Sequence, residues 1–411
     1  MQLSALLDLQ LVALEHADEL SLLVELTAPA TTAASTRPAA TLQIVLDRSG
    51  SMAGDRLDAA VGALFDLLDR LEPTDNFGVV TFDDTVQVAV PTGLLTDKNA
   101  VRAALRATTP GGRTDLSAGY LRGLQEARRV AGPAGATLLI LSDGHANAGI
   151  TDPDRLGGVA AHAKSAGVST STLGLGLGYD EVLLDALAHG GGGSTHFAEE
   201  ADTAAALVAG EVDGLLEQVA LAVSLRVTPS EHVQAVQLLN DLPTAVVDGA
   251  VVVELGGFLA GETRKLVLRL RVPGMDTLGL AQVATLELVH VALPELVQHT
   301  TKLDVHVNVV PGDAVAGRVP EPTVHHEALM QTTQAAKRLA AHLIRRGDVH
   351  EAVHTLQNAA AQLDSVPELA DEVQVLGAMA KQARAGHLDR TAKTAVADSS
   401  RKSRYRGRGT I

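Results

Sequence analysis

Asp47, Ser49 and Ser51 stand at alternate positions in "QIVLDRSGSMAGDRL" (residues 43–57), directly after an apolar run and ahead of a helical pattern. All three present hard oxygen donors. A turn would need only Gly50, so the spacing points to a site built to hold something. Two later stretches offer the same chemistry. "GGRTDLS" (111–117) presents Thr114 before a helix, and "LSDGHANAG" (141–149) places Asp143 at the end of a strand. Two carboxylates, three hydroxyls and water suit magnesium, which takes oxygen ligands and commonly keeps waters. Manganese and calcium are the alternatives, and one position is left for an outside ligand. A structural reading stands beside this one, because short polar residues also form turns and cap helices. A degenerate, metal-free site is a third.

Positioning these residues is the task of strands that alternate with helices. "TLQIVL" is almost continuously apolar, as a strand covered on both faces should be. Leu57, Ala60, Val61, Leu64, Phe65, Leu68 and Leu71 then recur at three and four, one face of a helix. "GVVTF" and "VQVAV" form a hairpin around "DDT". "KNAVRAALRA" and "DLSAGYLRGLQEARRV" read as helices, "ATLLILS" as a buried strand, and further strand–helix pairs follow to about residue 215. This alternation predicts a doubly wound, Rossmann-like, mostly parallel sheet with ligands at the carboxyl ends of its strands. The helical period disappears from 216 to 312, where short alternating strands predict an antiparallel β-sandwich. Two short alternating runs around "EHADE" within residues 8–28, read as antiparallel strands of a segment 1–30, have no other sheet to join. They are expected to complete the sandwich, which makes the α/β segment (38–215) an insertion in it. Residues 322–386 read as a helical hairpin domain turning at Gly347-Asp348. Residues 387–411, with seven Lys/Arg against Asp389 and Asp398, read as a disordered basic tail.

Composition narrows the function classes. The chain of 411 residues has no Cys and no Trp, five Phe and three Tyr. Disulfides, thiolate metal sites and a Cys nucleophile are therefore excluded. Scarce aromatics weigh against base or sugar stacking. A formal net charge of −16 is not a nucleic-acid-binding profile outside the basic tail. The start lacks a basic n-region, and no apolar stretch is long enough to span a bilayer, so the sequence reads as a soluble, cytoplasmic protein.

The D-x-S-x-S at Asp47, Ser49 and Ser51, with Thr114 and Asp143 following in order, resembles the metal-ion-dependent adhesion site of the von Willebrand factor A domain family. The resemblance runs over residues 38–215 and includes "DNFGVVTFDDTVQV" and "LLDALAHGGGGSTHF". It implies that Ser49, Ser51 and Thr114 bind the metal directly, that Asp47 and Asp143 contribute directly or through water, and that a partner's Asp or Glu takes the open position. Arg113 departs from the Gly-Gly-Thr run of many relatives, as a cation for the incoming acid or a partner for Asp115. The whole arrangement is similar to bacterial von Willebrand A proteins, some of which work beside AAA+ ATPases of the MoxR type.

The function expected is magnesium-dependent protein binding by an adaptor or scaffold, not an enzyme. Two rivals stand. One is a structural protein that self-assembles through sandwich or helices; the other is a metal-dependent hydrolase. "HEAVH" (350–354) fits a zinc-protease pattern, with Glu372 as a third ligand, but "GDVHEAVHTLQNAA" also reads as a helical hairpin. "LGLGLG" (173–178) reads as small residues at a strand exit, "HGGGGS" (189–194) as a flexible turn, and His145 as a surface contact.

Overall fold

The computed structural model describes residues 1–30, 38–199 and 201–404. The chain divides into two compact units. One holds the α/β segment up to Gln218; the other holds the first strands, Val219–Ala292 and the chain from Val297 on. Three strands open the chain: β1 (Gln2–Leu7), β2 (Leu11–Ala13) and β3 (Asp18–Thr27).

The α/β unit then runs β4 (Thr41–Asp47), α1 (Asp55–Arg70), β5 (Asn76–Phe82), β6 (Val86–Leu94), α2 (Lys98–Arg106) and α3 (Leu116–Val130). It continues with β7 (Ala136–Ser142), α4 (Pro153–Ser165), β8 (Val168–Leu175), α5 (Glu181–Gly191), β9 (Gly192–Ala198) and α6 (Ala201–Leu216). Its six-stranded sheet has the order β6-β5-β4-β7-β8-β9. Only β6 runs antiparallel to its neighbour. Every residue of β4 and of β7 is buried, which is why both read as nearly continuous apolar runs. Leu42, Ile44 and Leu46 face the layer built by α1 and α6 through Leu57, Leu64 and Val208. Val45, Leu138 and Ile140 face the opposite layer, where Tyr120, Leu124 and Leu183 come from α3 and α5.

The "HGGGGS" run is not a flexible turn. A Cβ on Gly190 would lie 2.2 Å from the Gly157 carbonyl oxygen, and one on Gly193 2.2 Å from that of Thr170. These glycines let α5 press on α4 and let β9 enter beside β8.

After the α/β unit come β10 (Gln218–Pro229), β11 (Ala235–Leu238), β12 (Thr244–Val247), β13 (Ala250–Leu259), β14 (Thr263–Val272), β15 (Gly279–Ala292) and β16 (Val297–Val310). They form two sheets, ordered β1-β3-β14-β11 and β12-β13-β10-β15-β16-β2. β3 pairs antiparallel with β14 over its full length, Leu22 opposite Leu268. Leu20, Leu22, Val24 and Leu26 of β3 meet Leu225, Leu286 and Val307 of the facing sheet in one core. Each such side chain is worth about 2 kcal/mol of burial. The N-terminal strands thus complete the sandwich and the α/β segment is inserted in it, as expected. β1 at Gln2–Leu7 is an added strand that the sequence reading missed.

The last region corrects the sequence reading. Helices α7 (Pro322–Arg345), α8 (Val349–Leu363) and α9 (Ala370–Arg384) are followed by α10 (Leu388–Arg404), so residues 388–404 are helical and not a disordered tail. Residues 405–411 lie outside the described residues. Val324 of α7 packs on Leu23 and Val267, on the face of the four-stranded sheet turned away from the sandwich core. α10 buries the small residues Ala392, Ala395 and Val396 among α7–α9, and an ion network completes the seam. The Lys337 side chain on α7 is wholly buried; its Nζ donates to Glu372 of α9 and to Asp398 of α10 (2.5 Å). Lys402 Nζ reaches Glu372 Oε2 at 2.5 Å and Asp398 Oδ2 at 3.1 Å.

Burial alone would raise the Asp398 carboxyl, but Lys337, Lys402 and Arg401 together hold it down at about 2, below its ordinary 3.8. A carboxyl whose folded pKa is depressed stabilises above its unfolded pKa and loses that contribution as pH falls through the folded one. The contribution of Asp398 is therefore expected to fade between about pH 4 and about pH 2. Hydrogen exchange of α10 across an acid series checks this, and in Asp398→Asn this component of the acid response should vanish.

Candidate functional site

The sheet order places the chain's reversal between β4 and β7, where ligands of doubly wound folds gather at the carboxyl ends of strands. Asp47 is the last residue of β4, and Asp143 follows β7 directly. Both are completely buried; Ser49 and Thr114 are nearly so, and Ser51 is exposed. Ser49 Oγ lies 3.1 Å from Ser51 Oγ, and Ser51 Oγ donates to Asp143 Oδ1 at 2.8 Å.

Thr114 joins them across Gly144. A Cβ on that glycine would stand 3.2 Å from Thr114 Oγ1, 3.3 Å from Ser51 Oγ and 3.8 Å from Ser49 Oγ. Three hydroxyl oxygens thus converge on one cradle that a single methyl group would fill. The structure brings together all five residues singled out from the sequence.

Backbone hydrogen bonds between the loops fix this convergence. Arg48 N donates to the Phe82 carbonyl (2.8 Å), Gly111 N to that of Arg48 (2.7 Å), and Gly50 N to that of Gly112 (3.1 Å). Gly111 answers to a close approach, since a Cβ there would fall 2.0 Å from Asp83 Oδ2, whereas one on Gly112 would meet only the exposed Asp84 side chain, 2.5 Å from its Oδ1. Asp83 in turn binds Arg48 Nη2 at 3.0 Å. Burial would raise the Asp83 carboxyl, but hydrogen bonds from Thr85 and Gly112 and the Arg48 charge hold it below its usual value. Thr114 is held by reciprocal bonds to Asn147, whose Oδ1 accepts from Thr114 N at 3.0 Å and whose N donates to Thr114 O at 3.1 Å.

Asp47 and Asp143 are pinned on both of their oxygens. Asp47 accepts from Ser49 N (2.8 Å) and Ser142 Oγ (2.6 Å); Asp143 accepts from Ser51 Oγ and from Arg56 Nη1 (2.5 Å). Burial pushes the Asp47 carboxyl up against the hydrogen bonds from Ser142 and Ser49, and the neighbouring Asp143 charge adds to the rise. Two buried carboxylates behind three convergent hydroxyls are an arrangement that a hard divalent cation relieves. The residues present fit such an ion. Asp83, Arg56, Ser142 and Asn147 were not singled out from the sequence, although all four lie inside stretches quoted from it.

One neighbouring feature resolves differently from its sequence reading, whereas "LGLGLG" is a strand exit and "HEAVH" part of a helix, as read. Arg113 goes to the Asn147 carbonyl at 2.6 Å. Asp115 instead caps α3 through Ala118 N and Ser117 Oγ. Of the glycines in "LGLGLG", Gly178 backs onto the Asp143 carbonyl, and Gly176, at φ 68°, lies beside the Arg56 guanidinium. His350, Glu351 and His354 sit at exposed positions of α8, while Glu372 is committed to Lys337 and Lys402. Among the described residues no three His, Cys, Asp or Glu side chains gather to hold a metal, so the zinc-protease reading is not supported. No described helix is long and apolar enough to cross a membrane.

Residues 42–210 match the von Willebrand factor type A domain family. The uncharacterized protein sll0103 of Synechocystis is 28% identical over 259 residues, covering 59% of this chain and 60% of that protein. YfbK of Escherichia coli, also uncharacterized, is 29% identical over 186 residues, 44% of this chain and 32% of that one. The chain thus spans less than two thirds of the length of these curated relatives. In the whole fold it is similar to a solved von Willebrand factor type A protein from Catenulispora acidiphila, with TM-score 0.76, 18% identity and coverage of 98% and 97%. It is also similar to the ArnB paralog VWA2 from Sulfolobus acidocaldarius, with TM-score 0.66, 15% identity and 98% of both chains covered.

Proposed function

We propose that the von Willebrand factor type A domain carried by this chain captures a partner protein through a magnesium-held carboxylate, as an adaptor or scaffold of the cytoplasm and not as a catalyst. The observation that carries this reading is the cradle of Ser49, Ser51 and Thr114 hydroxyls in front of the doubly pinned Asp47 and Asp143. With their oxygens engaged by protein donors, the carboxylates serve as fixed charge, and the neutral hydroxyls face the ligand side. When bound, the ion supplies an electron-poor position that takes an Asp or Glu oxygen. Ser51, the exposed member, sets where that oxygen enters.

Hydrolysis would need a base poised at the cradle. Ser49 and Ser51 are engaged there. His145, the imidazole next but one to Asp143, is 67% exposed and lies 3.9 Å from Asp180. A link to a MoxR-type ATPase rests on resemblance alone.

The test is a pull-down from native lysate with wild type and Asp47→Ala, each with magnesium and with chelator. Capture of a protein by wild type with magnesium, and by none of the other three combinations, is expected. Equal capture in all four would refute the proposal.

A further inference from the structure

Among the described residues, Arg56 is the one charged side chain that touches the buried carboxylates of the site from a solvent-facing position. It rises from the first turn of α1, and its side chain is 46% exposed while Asp143 is fully covered. Nη1 bonds Asp143 Oδ2 at 2.5 Å and the Ser51 carbonyl at 3.3 Å, so the guanidinium bridges two of the loops that build the cradle. Room for it is provided by Gly176, where any Cβ would lie 3.3 Å from the guanidinium carbon. Arg48 does not play this part, because Asp83 neutralises it; nor does Arg113, which points to a carbonyl.

The consequence is electrostatic. Two carboxylates without Arg56 would balance a divalent ion, leaving a neutral site with little pull on an anion. With the guanidinium on Asp143 the same ion leaves one positive charge unbalanced at the cradle. Like charges close together oppose ion binding, and the excess is relieved when a carboxylate arrives. We propose that Arg56 couples the two ligands: the site binds a divalent ion weakly alone and tightly together with a carboxylate, so that ion and partner load as one event. This rests on the metal-site reading above and adds to it a reciprocal linkage, since whatever the carboxylate does for the ion, the ion does for the carboxylate. Arg56 acts here as a positioning residue through Asp143.

Calorimetric titration of the full chain with Mn2+, in chloride and in acetate at matched ionic strength, tests this with acetate as the probe carboxylate. Wild type is expected to bind Mn2+ at least fivefold tighter in acetate than in chloride. Arg56→Gln should bind Mn2+ about tenfold tighter than wild type in chloride and gain less than twofold from acetate. Arg56→Lys, which keeps the charge, should restore the acetate dependence. Asp47→Ala separates the two ideas: Mn2+ affinity unchanged by that substitution would overturn the metal reading and this proposal with it. Mn2+ binding that requires Asp47 but is the same in Arg56→Gln as in wild type, in both salts, would overturn the coupling alone.

Discussion

Gly144→Ala is expected to lower divalent-ion affinity at least a hundredfold while leaving the fold in place. The new methyl group would sit 3.2 Å from Thr114 Oγ1 and 3.3 Å from Ser51 Oγ, in the space toward which the hydroxyls point. Gly144 does not occupy the left-handed backbone region in which alanine is strained. The contacts are tight, but the neighbouring side chains need yield only a few tenths of an ångström, so the stability change should stay within about 1 kcal/mol, at the low end of overpacking costs. The measurement is Mn2+ titration beside urea denaturation of the same variant. Full-strength binding would place the ion elsewhere in the protein. Asp47→Ala removes charge as well as a ligand, whereas Gly144→Ala removes neither, which makes it the cleaner probe of where the ion sits.

Lys337→Met should cost about 3–5 kcal/mol of local stability, the typical penalty for taking one partner out of a buried ion pair. Methionine keeps most of the volume but strands Glu372 and Asp398 beside Lys402 as their remaining ammonium. The Glu372 carboxyl, which burial would raise, is held below its ordinary value chiefly by Lys337; without it, that carboxyl should titrate upward. Because the chain has two compact units, one global midpoint is the wrong measure. Hydrogen exchange across α7, α9 and α10 is the direct one, with the α/β unit as internal reference. Adding Glu372→Met should return much of the loss, because an apolar replacement of a whole buried pair is often neutral. A wild-type exchange pattern in Lys337→Met would mean that the network contributes nothing to docking α10.

The site residues were legible because each lies within a few positions of a strand end or helix start, where local pattern alone gives the address. The nearly continuous apolar runs of β4 and β7 carried the sheet, and the leftover N-terminal strands carried the insertion. What was not legible depends on distant partners. Arg56 stands in the very first motif stretch, yet nothing in "GDRL" says that its guanidinium meets a carboxylate 87 residues later. Asp83 is recognised only through the close approach of Gly111. The "HGGGGS" glycines answer to Gly157 and Thr170, not to a turn of their own. α10 was misread for a related reason. Apart from Val396 and Lys393, its buried face is made of Ala, Ser and Thr with charged neighbours, so its composition is that of a solvated tail, and the lysine that holds it lies on another helix.

The insertion also has a consequence in time. Thr27 and Thr263, whose hydroxyls meet across β3 and β14, are 236 residues apart in the chain. At about 5–20 residues per second, a ribosome needs roughly 12–47 s to deliver the second after the first. Throughout that interval β3 has β1 on one edge and nothing of β14 on the other, and a lone two-stranded hairpin is marginal in water. The α/β sheet, by contrast, is drawn from one contiguous stretch, residues 41–198, whose strands have all been made well before β14 emerges. The middle of the chain therefore matures before the strands that precede it, and those strands stay sticky until β14 has been made.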